Sequence, residues 1–104
     1  MNLEQLQSMS DDELNKSAAI HFLWGGIANT PSDDWKPTTD MNDAMRMWSL
    51  LHNEGWELNL SCDQKVTLPW DCRMFYKEQK RFIAHEKTEP RAITIAALLA
   101  KTIQ

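Results

Sequence analysis

Residues 40–61 read DMNDAMRMWSLLHNEGWELNLS, and the spacing of their apolar residues changes at Gly55. Before the glycine, apolar residues recur every three or four positions, as on one face of an amphipathic helix: Met41, Ala44, Met45, Trp48 and Leu51. Thr39 or Asp40 is expected to cap this helix, and Gly55 stands where a left-handed residue commonly ends one. Residues 56–61 then alternate between apolar and polar, which is typical of a strand with one buried face. A helix that runs directly into a strand predicts an α+β fold.

Two further alternating runs follow in residues 72–77 and 81–85, and residues 78–80 between them are turn-like. We expect these runs to pair as an antiparallel hairpin. Residues 63–71 alternate as well, but Pro69 within them leaves either a short edge strand or an extended loop. The sequence therefore predicts a small antiparallel sheet of three to four strands.

The beginning of the chain carries a second helix signal. Ser10 and Glu13 form the signature of a capping box, and apolar residues then recur every four positions, which predicts a helix at about 11–23. Residues 25–39 are rich in turn formers and are expected to cross the surface as an irregular loop. We expect Trp35 to pin that loop to the core.

Thr88 and Pro90 mark the start of a last helix, because proline is tolerated in a first helical turn. Residues 92–103 are apolar around most of the helix circumference, so this helix must be largely buried. Its alanines allow close approach of another backbone, which belongs either to the same chain or to the second subunit of a homodimer. The predicted order is helix, loop, helix, strands, helix.

The length of 104 residues suits one domain with one core, so residues 1–104 are expected to form a single domain. The first ten residues lack the apolar run of a signal peptide, and no stretch reaches the roughly 20 apolar residues that cross a bilayer. Cys62 and Cys72 then fit a reducing cytosol, where both are expected to be thiols. We expect a cytoplasmic protein with no membrane partner.

The net charge of −4 is unevenly distributed along the chain. Residues 1–63 hold three Lys and Arg against eleven Asp and Glu, whereas residues 64–104 hold eight against four. The two parts thus carry −8 and +4. Such asymmetry indicates either charged partners or, as we favour, the packing of the two parts against each other.

These features resemble the phage ABA sandwich domain, a family of small phage and prophage proteins. The resemblance covers nearly the whole chain and rests on short motifs in a shared order: Asp12-Glu13-Leu14, Trp35-Lys36-Pro37-Thr38-Thr39-Asp40, Ala44, Trp48, Gly55, Pro90-Arg91-Ala92-Ile93 and Ala96-Ala97-Leu98-Leu99-Ala100. Residues 62–72 depart from the family pattern. The resemblance implies helix/sheet/helix layers and an accessory protein of a phage or prophage, at work in a bacterial host cell. It carries no catalytic residues.

No group of residues has the spacing that a known chemistry demands. The metal-ligating residue types lack zinc-site spacing: His21, His52, His85, Cys62 and Cys72. A carboxylate cluster could serve acid–base chemistry, but helix capping and turn formation explain the same residues: Asp33, Asp34, Asp40 and Asp43. The two cysteines could also face each other across a hairpin as a redox pair, although small apolar filler is the commoner role. We predict no enzyme, no metal and no cofactor.

Five tryptophans exceed ordinary usage in a chain of this length. Trp48 and Trp56 fall on core-facing positions and are interpreted as structural. Trp24, Trp35 and Trp70 fall in loops or at the ends of elements, where they either cover a small core or form a partner-binding patch.

A basic run with interleaved aromatic residues follows in the second part of the chain. The candidate nucleic-acid contacts are Arg73, Lys77, Lys80 and Arg81, with Lys87 and Arg91 beyond them. Neighbouring glutamates and the negative net charge disfavour a nucleic-acid partner.

The sequence therefore favours a non-enzymatic phage accessory protein that binds a host or phage protein, for which an anti-defence role would fit. The alternative is a small-ligand or nucleic-acid binding module that uses the basic hairpin of residues 73–91.

Overall fold

The structure, a computed structural model, describes residues 2–23, 35–76 and 80–102. Its elements in chain order are α1 (Leu3–Ser8), α2 (Asp11–Ala18), α3 (Met41–Asn53), β1 (Trp56–Cys62), β2 (Trp70–Tyr76), β3 (Lys80–Glu86) and α4 (Glu89–Thr102). A π-helical segment, Ala19–Leu23, continues α2. The predicted α+β class and the order of the predicted elements are confirmed.

The three strands form one antiparallel sheet in the order β1-β2-β3. Trp56 pairs with Tyr76 at one end of the β1–β2 ladder, and Cys62 pairs with Trp70 at the other. The predicted hairpin of β2 and β3 is confirmed. Lys80, which was expected in the turn, is instead the first residue of β3 and pairs with Tyr76. Residues 63–69 are a loop that joins β1 to β2, whereas Trp70 and Asp71 already belong to β2. The stretch left open, residues 63–71, is therefore an extended loop followed by the first two residues of a strand.

One face of the sheet packs on the helices. Trp56 of β1, Cys72 and Met74 of β2 and Ala84 of β3 are buried there, and α3 and α4 lie against these strands. On the opposite face, Glu57, Asn59 and Ser61 of β1 and His85 of β3 are exposed. The core therefore lies between the apolar face of the sheet and α4.

Helix α4 is buried around its whole circumference, as predicted. Every residue from Ala92 to Ala100 is buried, because the sheet, α2 and α3 surround the helix. Burial within one chain thus accounts for its apolar composition without a second subunit. A homodimer stays a prediction, which light scattering after size-exclusion chromatography tests.

The predicted helix at 11–23 is confirmed, with Ser10 as its cap. The Ser10 hydroxyl accepts the backbone N–H of Glu13 at 3.2 Å, and Oε1 of Glu13 accepts the backbone N–H of Ser10 at 3.2 Å. The sequence analysis missed α1, which has its own capping box between Asn2 and Gln5. A six-residue helix contains too few apolar positions to show a period, so only its caps mark it.

Helix α3 begins at its cap Asp40 and ends before Gly55, both as predicted. Gly55 has φ +103°, a left-handed conformation that side chains disfavour. A Cβ atom at this position would lie 3.1 Å from Cε2 of Tyr76, the last residue of β2. Gly55 therefore lets the chain turn from α3 directly into β1.

The predicted apolar stripe of α3 is partly wrong. Ala44, Met47 and Leu51 are fully buried, whereas Met45 is 38% exposed. Met41 and Trp48, which share the stripe with Met45, are half-buried. Two overlapping stripes satisfy helical spacing in this sequence, and the packing of α3 on β1 and α4 selects the one through Met47.

Ion pairs join the acidic first part of the chain to the basic second part. Arg91 Nη1 lies 2.6 Å from Asp11 Oδ1, and Lys101 Nζ lies 2.9 Å from Glu54 Oε1. The charge asymmetry therefore has the internal explanation that the sequence analysis favoured, at least at these two contacts.

Candidate interaction surface

Trp35 lies in the core, 6% exposed. Its indole N–H donates to the backbone oxygen of Asn15 at 3.1 Å, and the Asn15 side-chain oxygen accepts the backbone N–H of Thr38 at 3.1 Å. These bonds fix residues 35–38 against α2, as expected for a residue that pins the loop. Of the two roles left open for Trp35, the structure shows the structural one.

The other two tryptophans of the predicted patch differ from Trp35. Trp70 is half-buried at the start of β2, where it pairs with Cys62 and Glu86 and packs against the core. Trp24 lies outside the described residues. Partner contact by Trp24 and Trp70 stays a prediction.

An apolar surface that the sequence analysis assigned to the core lies on the outside of α3. We call it the Met45 surface and define it as Met41, Met45, Trp48 and His52, which follow one another at helical spacing. Met45 and His52 are exposed, and Met41 and Trp48 are half-buried. The periodicity found Met41, Met45 and Trp48, though not His52, and it could not show that they lie at the solvent edge of the core.

The geometry of the Met45 surface is held by contacts around its histidine. The rings of Trp48 and His52 lie 5.3 Å apart at an interplanar angle of 46°, a tilted stacking arrangement. Nδ1 of His52 lies 3.3 Å from the backbone oxygen of Trp56, across the turn into β1. The aromatic end of the surface is therefore tied to the sheet.

The basic residues of the predicted nucleic-acid face are partly engaged within the fold. Nε and Nη2 of Arg73 each lie 3.0 Å from an oxygen of Asp71, and this carboxylate raises the pKa of the guanidinium. Lys77 lies outside the described residues, as do the side chains of Lys80 and Arg81 in β3. Nucleic-acid contact by these residues stays a prediction. The charge of Arg73 is already paired with Asp71 within the fold.

Two of the clustered carboxylates have structural roles. The Asp40 side chain accepts the backbone N–H of Asn42 at 2.9 Å as a helix cap, and Asp43 Oδ2 accepts the backbone N–H of Lys36 at 3.0 Å. Asp33 and Asp34 lie outside the described residues. In the described part of the chain, no three His, Cys, Asp or Glu residues are placed to hold a metal ion.

The two cysteines are both free thiols, as predicted, but they do not face each other directly. Cys72 pairs with Leu60, and Cys62 pairs with Trp70. Burial, together with the negative charge of Asp71, raises the pKa of the Cys72 thiol to about 12, whereas Cys62 is exposed.

We expect a thiol reagent at mildly alkaline pH to modify the exposed Cys62 of the folded chain quickly, and to modify the buried Cys72 only when the chain unfolds. The thiolate is the reactive form, and burial denies Cys72 both ionisation and access. Counting modified thiols by mass spectrometry checks this. Cys62→Ser should remove the fast reaction and Cys72→Ser should preserve it, and the reverse pattern would contradict the assignment.

None of the helices in residues 2–23, 35–76 and 80–102 is long and apolar enough to cross a membrane.

Comparison with known proteins places this fold in a family. The phage ABA sandwich domain model matches residues 7–98. A crystal structure of a phage protein from Bacillus cereus ATCC 14579 superposes with a TM-score of 0.64 at 15% identity, covering 88% of this chain and 91% of that one. At this identity the likeness shows the fold alone. The comparison with curated proteins found no match. Because the family match spans most of the chain, the protein belongs to the phage ABA sandwich domain family.

Proposed function

We propose that this chain is a non-enzymatic phage accessory protein that binds a host or phage protein, and that the Met45 surface is its contact. The observation that carries the proposal is the 38% exposure of Met45 on a helix whose buried stripe is complete without it. An anti-defence role is one function that such binding would serve.

The chemistry of the surface suits a protein partner. Methionine is unbranched and polarisable, so it adapts to apolar partner side chains of varied shape. Trp48 adds a large ring of the type enriched in binding hot spots.

The experiment compares two substitutions on the same helix. Met45→Asp places a charge in the Met45 surface, and Leu50→Asp is the matched control. Leu50 is 44% exposed and lies five residues farther on, roughly 140° around the helix. The tagged full chain and both variants are captured from host cells at high salt, and bound proteins are identified and quantified.

We expect one stoichiometric partner that the unmodified chain and Leu50→Asp retain and that Met45→Asp loses by about tenfold or more. Retention by both variants would contradict the role of the Met45 surface. Trp24→Ala and Trp70→Ala test the predicted tryptophan contacts in the same way. Nucleic acid that is captured with the chain at low salt and lost at high salt would instead favour the alternative module at residues 73–91.

A further inference from the structure

In the described sheet β1 is an edge strand, so one side of its backbone faces away from β2. The Asp63 N–H donates to the Pro69 oxygen at 2.8 Å, one step beyond the last pair of the β1–β2 ladder. Because bonded and non-bonded pairs alternate along an antiparallel ladder, the backbone N–H and C=O groups of Leu58, Leu60 and Cys62 point away from β2. We call these groups the outer edge of β1. They form no hydrogen bond with any other described residue.

The opposite edge of the sheet is better protected. The same alternation directs the His85 oxygen of β3 outward, where it accepts Nε2 of Gln7 from α1 at 3.2 Å. β3 also begins with Lys80 and Arg81, and charged residues of this kind discourage the pairing of edge strands. In contrast, Trp56–Cys62 contains no lysine, arginine, proline or bulge. The outer edge of β1 therefore suits an added strand better than the edge at β3.

The Met45 surface borders the outer edge of β1. Nδ1 of His52, at one end of that surface, lies 3.3 Å from the backbone oxygen of Trp56, which points outward by the same alternation. Glu54 follows Met45 by nine residues, roughly 180° around the helix, and pairs with Lys101 of α4. The Met45 surface thus lies on the side of α3 that faces away from α4, next to the outer edge.

We propose that the protein partner contributes an extended segment, which pairs with the outer edge of β1 as a fourth strand of the sheet. Unpaired donors and acceptors at strand spacing are complemented by the backbone of another strand. Every second side chain of the added strand faces the helices, where apolar side chains contact the Met45 surface. The inference rests on the proposed function and names the form of the segment that binds there.

A second copy of this chain suits the outer edge less well than a separate extended segment does. Helix α3 packs on β1, whereas α4 packs on β2 and β3. Antiparallel pairing of two β1 strands would therefore bring two α3 helices to the same side of one junction. An extended segment without a helix packed over it avoids that crowding.

The first experiment selects random short peptides, displayed on yeast, for binding to the full chain. The tightest binder is synthesised, and its backbone nitrogens are methylated one at a time. We expect methylation at alternate positions to weaken binding by about tenfold or more, because those N–H groups bond to β1. Methylation at the intervening positions should weaken binding by less than about threefold. Selection of no binder, or losses without this alternation, would overturn the proposal.

Amide hydrogen exchange, followed by NMR with and without the peptide, locates the added strand. We expect exchange at Leu58, Leu60 and Cys62 to slow by about tenfold or more on binding, because their N–H groups gain acceptors. Asn59 and Ser61 face β2 and should change less. Unchanged exchange at the outer edge would overturn the proposal. So would protection of the same amides in the peptide-free chain that rises with protein concentration, since a second copy would then occupy the edge.

A pair of variants at one position tests the outer edge from the side of the protein. Leu60→Pro removes an outward N–H and spares the bonds to β2, whereas Leu60→Ala loses the same side chain and keeps the N–H. With folding of both variants checked by circular dichroism, Leu60→Pro should bind the peptide about tenfold or more weaker than Leu60→Ala. Equal binding by the two would overturn the proposal, and the methylated peptides test it without any change to the protein.

The strand addition and the Met45 contact can fail separately. Binding that Met45→Asp loses and Leu60→Pro retains would keep the Met45 surface as the contact and overturn strand addition. Binding that Leu60→Pro loses and Met45→Asp retains would support strand addition and contradict the role of the Met45 surface. Loss of binding in both variants, with slowed exchange at the outer edge, is the result that we expect.

Discussion

Replacement of Arg91 by methionine is expected to lower the free energy of unfolding by about 3–5 kcal/mol. The Arg91 side chain is only 18% exposed and bonds to Glu86 Oε1 at 2.9 Å and to Asp11 Oδ1 at 2.6 Å. It also donates to the backbone oxygens of Gln7 at 3.2 Å and Met9 at 2.8 Å, at the C-terminal end of α1. Methionine keeps much of the apolar stem but leaves the buried Glu86 carboxylate without its cation. Urea unfolding followed by circular dichroism measures the loss.

Two further variants show whether the loss comes from the unpaired carboxylate. Adding Glu86→Gln to Arg91→Met should recover part of the stability, because no buried charge then lacks a partner. Arg73→Met is the matched control, since Arg73 also pairs with a neighbouring carboxylate but is exposed, and its effect should be small. Equal losses for Arg73→Met and Arg91→Met would contradict the role assigned to Arg91.

Replacement of Met47 by alanine is expected to lower the free energy of unfolding by about 2–5 kcal/mol, whereas Met45→Ala should change it by less than about 0.5 kcal/mol. The same residue type stands at both positions of α3, so helix propensity cancels in the comparison. Met47 is fully buried and leaves a cavity on truncation, whereas Met45 is 38% exposed.

Unfolding curves of the two alanine variants under the same conditions check the prediction. Similar losses of unfolding free energy for Met47→Ala and Met45→Ala would mean that α3 is rotated about its axis relative to this structure. The comparison also bears on the proposed function, because a neutral Met45→Ala leaves the fold intact for binding measurements.

Local signals in the sequence predicted the elements that depend on local physics. Ser10 with Glu13, Asp40 and Gly55 mark helix ends by satisfying or turning the backbone, and each acts within a few residues. The alternation of apolar and polar residues in β1 and in residues 72–77 likewise indicates a strand with one buried and one polar face. The family resemblance, drawn from the order of such local motifs, is confirmed by the family match.

The candidate sites depended on contacts between distant residues, and there the sequence predicted less. From the sequence alone, Trp35 could be either exposed or buried. The structure shows it buried, because its indole N–H donates to the backbone oxygen of Asn15, 20 positions earlier in the chain. Arg91 belongs to a basic run in the sequence, yet Asp11 and Glu86 make it the centre of a partly buried network of ion pairs.

The sequence by itself determined where α2 and α4 begin, where α3 begins and ends, that α4 must be buried, and that the fold is α+β, because caps, turns and periodicity act through neighbouring residues. Only the tertiary structure decided which stripe of α3 faces the core, and therefore that Met45 lies on the surface. It also decided which charges are paired. These outcomes depend on how elements distant in sequence pack together, and two stripes with equal spacing look alike until a neighbouring sheet and helix cover one of them.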